Sequence, residues 1–73
     1  MKLIKEMKSP SLEAQEYHNN SNFDFICEIR KGDFMANQNE EKMIYAEYEN
    51  GLIRLYEIES SDLRAMIDRG KNL

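Results

Sequence analysis

Lys42-Met43-Ile44-Tyr45-Ala46-Glu47-Tyr48-Glu49-Asn50-Gly51-Leu52-Ile53-Arg54-Leu55-Tyr56-Glu57-Ile58-Glu59 carries the strongest local instruction in this chain of 73 residues. Asn-Gly tolerates positive φ at both central positions of a type I′ turn, the turn whose twist suits two antiparallel strands. Its flanks are rich in β-branched and aromatic residues, which favour strands. A hairpin follows, and a two-residue loop fixes its register. Glu49 faces Leu52, Tyr48 faces Ile53, Glu47 faces Arg54, Ala46 faces Leu55, Tyr45 faces Tyr56, Ile44 faces Glu57 and Met43 faces Ile58.

Side chains alternate along strands, so these pairs sort into two faces. The first face carries Tyr48/Ile53, Ala46/Leu55 and Ile44, and reads as the better core. The second carries Glu47/Arg54 near the turn, then Tyr45/Tyr56 and Met43/Ile58. The opposite-charge pair and the aromatic pair both agree with the register, at roughly 0.2–1 kcal/mol each.

Outward from the hairpin, residues 22–30 predict another strand. Phe23, Phe25, Cys27 and Ile29 alternate with Asp24, Glu28 and Arg30, and Ile26 is the one apolar residue on the polar side. Lys31-Gly32-Asp33 should break this strand, and residues 36–41 read as a polar connection. At the other end, Leu63, Met66 and Ile67 make one helical stripe. Ser60 or Ser61 can cap that helix, Asp62 suits its first turn, and Gly70 can end it. The helix is expected across the apolar face of the sheet. Near the start, Ser9 as cap and Pro10 at the first helical position predict a weaker helix over 10–18. Leu3, Ile4 and Met7 fit helical spacing better than alternation, and the sequence leaves residues 2–8 open between a strand, a helical turn and a loosely ordered arm. The expected fold is thus one small α+β domain over 1–73. It has a three-stranded antiparallel sheet, or four strands with an N-terminal one, a C-terminal helix on one face and a weaker N-terminal helix.

Composition narrows the chemistry. A single core of this size rarely supplies more than about 3–5 kcal/mol of net stability. One cysteine, Cys27, excludes an internal disulfide, and one histidine, His18, nine positions away, falls short of the paired ligands that a closed zinc site wants. Self-association, as in a homodimer, is the remaining support. No metal or cofactor is expected. The lone cysteine fits a reducing compartment. The first eight residues carry no apolar core of a secretory signal, and no run is long enough to span a bilayer. A cytoplasmic protein with no membrane partner is the expectation.

Ten basic against 14 acidic residues give a net charge of −4. Residues 1–8 are basic, whereas Glu40, Glu41, Glu47, Glu49, Glu57 and Glu59 make 40–59 acidic. Such a domain is repelled by phosphate backbones, so direct nucleic-acid binding is not expected.

No nucleophile, base and orienting group are spaced for catalysis. Cys27 shares an apolar set, where a free cysteine acts as a small hydrophobe, and His18 sits among asparagines. No catalytic residue is expected, and the chain reads as non-enzymatic. The apolar end of the second face must meet something: the N-terminal segment, another subunit or a target. Tyrosine and methionine are enriched at interface centres. Met43, Tyr45, Tyr56 and Ile58, with Arg54 at the rim, are therefore the candidate surface of an interaction or regulatory module with a protein partner. The alternative is an acidic mimic of nucleic acid, with the six glutamates standing in for phosphates in the cleft of a DNA- or RNA-binding protein.

Overall fold

A computed structural model describes residues 1–29, 32–37 and 42–71, with side chains as far as residue 69. The elements are β1 (Lys2–Lys8), α1 (Leu12–Asn20), β2 (Phe23–Ile29), β3 (Gly32–Asn37), β4 (Lys42–Glu49), β5 (Leu52–Ile58) and α2 (Ser60–Lys71). The strands form one sheet in the order β1-β5-β4-β3-β2, and every neighbouring pair is antiparallel. The class is α+β, as expected. The sheet, however, has five strands rather than three or four, and a strand precedes the first helix.

The hairpin has the register that its turn dictates, with all seven cross-strand pairs in place. Asn50 and Gly51 take φ values of 51° and 75°, the left-handed geometry of that turn. The additional strand β3 lies where the sequence reads as a break and a polar connection. Phe34 goes to the second face beside Tyr45 and Met35 to the first beside Ile44. A strand covered on both faces shows contiguous apolar residues instead of alternation, so this short run carries no period-2 signal. Of the expected connection, Ala36 and Asn37 are in β3, and residues 38–41 lie outside the described residues.

Both edge strands are interrupted by a register shift. In β2 the shift falls between Phe25 and Cys27, and in β1 it falls between Leu3 and Lys5. A bulge adds one residue and so moves everything beyond it to the other face. Phe23 and Phe25 therefore share the first face with Asn37 and Met35, while Cys27 and Ile29 lie on the second with Phe34 and Gly32. The single apolar set expected for β2 is split in two. The same device in β1 puts Leu3 on the second face and Met7 on the first, which explains a spacing that resembles a helix.

Each face has its own helix. On the first, α1 sets Ala14 and Tyr17 against the buried cluster Met7, Ile44, Ala46 and Leu55. On the second, α2 sets Leu63, Met66 and Ile67 against Ile29, Phe34, Tyr45 and Ile58. The C-terminal helix thus covers the second face and not the first. The helix starts also move. Ser11, not Ser9, caps α1, its hydroxyl accepting from the Ala14 N–H at 3.0 Å. Ser9 is engaged elsewhere: its N–H donates to the Gly51 carbonyl at 2.8 Å, clasping the β1–α1 link to the hairpin turn. At α2 the Leu63 N–H donates to the Glu59 carbonyl and the Glu59 N–H donates to the Asp62 carboxylate at 3.2 Å. This is the reciprocal arm of a capping box, with Glu59 in the cap position and the serines already inside the helix. The helix runs on through Gly70 to Lys71.

Candidate functional site

The tyrosines of the second face line up across the strands. The Phe34 and Tyr45 ring centroids are 4.8 Å apart, and those of Tyr45 and Tyr56 are 6.2 Å apart and stacked. Tyr45 lies over Gly32, where any added Cβ would enter its ring. Tyr45 is 6% exposed and Ile58 5%, while Met43 and Tyr56 are half-buried at the margin of the same cluster. Of the expected docking residues, Tyr45 and Ile58 are therefore core, with Met43 and Tyr56 at its margin, and the cover of this cluster is α2. The physical reason is direct: the apolar stripe of α2 needs an apolar bed, and this face supplies one adjoining the chain that leads into the helix.

Arg54 carries the Glu47 pairing that the hairpin predicts, at 3.4 Å, and two further carboxylates, Glu6 at 3.0 Å and Glu49 at 3.5 Å. Glu6 enters because β1 adds to β5 with Glu6 opposite Arg54, a neighbour that no local pattern reveals. The acidic set does not form one line. Glu47 and Glu49 are held by Arg54, Glu57 lies on the first face opposite Lys2 and Ile44, and Glu59 begins α2. Glu40 and Glu41 lie outside the described residues.

Cys27 and His18 are separated by the sheet. Cys27 is half-buried against the cluster under α2, whereas His18 is exposed near the end of α1, on the other side. Among the described residues no group of three or more His, Cys, Asp and Glu could hold a metal ion, and no helix is long and apolar enough to cross a membrane.

The uncovered apolar surface lies elsewhere. Phe25 is 62% exposed, Ile26 46% and Tyr48 42%. Phe25 stands on the first face opposite the half-buried Met35. Tyr48 shares that face and hydrogen-bonds Asp33; burial first, then the Asp33 charge and this bond, hold its pKa above the usual tyrosine value. Glu28 and Asp33 place carboxylates on the same face, while Asp24 lies on the opposite face beside Ala36. A separate open groove of about 800 Å³ lies beneath α1, lined among others by Tyr17, Phe23, Ile44, Lys5, Lys42 and Glu57. The sequence does carry a trace of this surface. Ile26, the residue out of step with the alternation, is the bulge that turns Phe25 outward. Compared with protein-family models, curated proteins and solved structures, the chain matches none of the three.

Proposed function

We propose that the chain is a small protein-interaction module without chemistry of its own, docking through the open half of the first face and the adjoining edge of β2. One observation carries this reading: Phe25 and Ile26 expose apolar surface side by side on β2, a strand whose outer backbone groups have no neighbouring strand among the described residues. Aromatic residues with a charged rim are the composition of interface centres. A strand edge adds main-chain hydrogen bonds to an incoming extended segment. Glu28 and Asp33 on that face, with Asp24 on the reverse side of β2, favour a partner with basic residues beside its apolar contacts. Its action would be steric: the domain covers or holds a surface.

The test uses immobilised protein and its Phe25→Ser/Ile26→Ser variant. Both side chains are exposed, so the far-UV spectrum should be unchanged while a species captured by the parent is lost. Equal capture by both proteins removes this surface from consideration.

A further inference from the structure

The two edge strands differ in charge. β1 carries Lys2, Lys5 and Lys8 against Glu6, a balance of +2. β2 carries Asp24 and Glu28 with no basic residue, a balance of −2. Either edge laid against its own copy brings like charges together, whereas β1 against β2 brings opposite ones. Like-charged edges are a recognised guard against self-pairing. Here the guard works for like edges and is absent for unlike ones.

The helices are offset in a complementary sense. On the first face α1 lies nearest β1, and on the second α2 lies nearest β2. Each helix leaves an apolar residue uncovered on the opposite half: Phe25 on the β2 side of the first face, and Leu3 on the β1 side of the second. Four antiparallel steps separate β1 from β2, so the two edges run in the same direction. A second copy displaced sideways across the sheet would bring its β1 alongside β2, parallel to it. In that placement its α1 comes over Phe25, and the first copy's α2 comes over its Leu3. Cross-sheet rows line up as well. Lys2, Glu57, Ile44, Met35 and Phe25 share one row, and Lys5, Leu55, Ala46, Asp33 and Glu28 share the next row on that face. The neighbour's Lys2 thus arrives at Phe25 and its Lys5 at Glu28.

We infer that the partner of the β2 edge is the β1 edge of a second copy of this chain, which extends the sheet head to tail. This names the occupant of the surface proposed above and rests on that reading. Such a contact is heterologous: it generates a ring or an open filament, and it does not close at two subunits.

Mass in solution tests it. At low ionic strength the weight-average mass of the whole chain should climb with concentration past the 8.7 kDa of one chain and past twice that value. It should fall back toward one chain in about 1 M salt, where the screening length is only about 3 Å. Lys2→Glu/Lys5→Glu reverses the sign of β1, and Asp24→Lys/Glu28→Lys reverses that of β2. Each variant alone should remain at the mass of one chain, and an equal mixture of the two should associate again. Rescue in the mixture excludes misfolding as the cause of the loss. A wild-type mass fixed at one chain overturns the inference, as does a dimer that grows no further, or a mixture that stays monomeric. The broader reading fails separately, when Phe25→Ser/Ile26→Ser leaves partner capture unchanged.

Discussion

The two faces of this sheet are finished differently. Beneath α2 lies a continuous aromatic row, Phe34, Tyr45 and Tyr56, with Gly32 making room for the central ring. Beneath α1 lie smaller aliphatic side chains, met by only Ala14 and Tyr17 from the helix. The difference begins in the helices. α2 presents three apolar residues at helical spacing, whereas α1 has no buried residue of its own. A helix with a thin stripe cannot seal a five-stranded sheet, so its face keeps open surface. The face under the stronger helix holds the aromatic layer, and the face under the weaker one keeps Phe25 and Tyr48 exposed.

Substitutions in the two layers should separate these roles. Phe34→Ala removes a side chain with no exposed surface from the α2 layer. It should cost about 3–5 kcal/mol. That matches the net stability such a small core supplies, about 3–5 kcal/mol. The variant should thus be largely unfolded by far-UV circular dichroism. A folded variant would show that the α2 layer is not the main store of stability. Gly32→Ala tests the same layer from the backbone. A methyl there meets the Tyr45 ring, so denaturant unfolding should show a loss of about 1–3 kcal/mol. The loss should shrink when Tyr45 is first replaced by Ala.

On the other face the expected effects are smaller. Ser11→Ala deletes the side-chain cap at the N-terminal end of α1. It should lower stability by about 1 kcal/mol in denaturant titration. It should also raise amide exchange in residues 12–20 without touching α2. The smallest effect is a titration. Tyr48 is held above a tyrosine's ordinary pKa by burial, with Asp33 adding to it. Asp33→Asn should therefore move its absorbance titration part of the way back toward about 10, the unperturbed value. A tyrosine whose folded pKa is raised contributes stability that is complete below about pH 10 and lost as pH rises through the folded value. The alkaline limb of the wild-type stability curve should accordingly be steeper than that of Asp33→Asn.

What the chain announces and what it conceals follow from how local each instruction is. Asn50-Gly51 needs nothing beyond its own two residues, so the hairpin and every pair in it are legible. The α2 stripe is likewise local, but the face it covers depends on a sheet that only long-range pairing builds. β3 is hidden because an interior strand has no alternation to display. Of the candidate docking set, Tyr45 and Ile58 are assigned to the right face and the wrong environment, since their cover is distant in sequence. The surface left open instead turns on one bulged residue, Ile26. An alternating strand with a single misfit is worth reading as two half-strands on opposite faces.

The pairing of β1 with β5 sets a timetable for the growing chain. Residues 2–8 leave the ribosome before residues 52–57, their neighbours in the sheet, so this strand must wait until that later segment is made. Contacts this remote in sequence form slowly. During that wait the lysine-studded segment is a loose end, able to add to any acidic strand it meets, including one on a chain already finished.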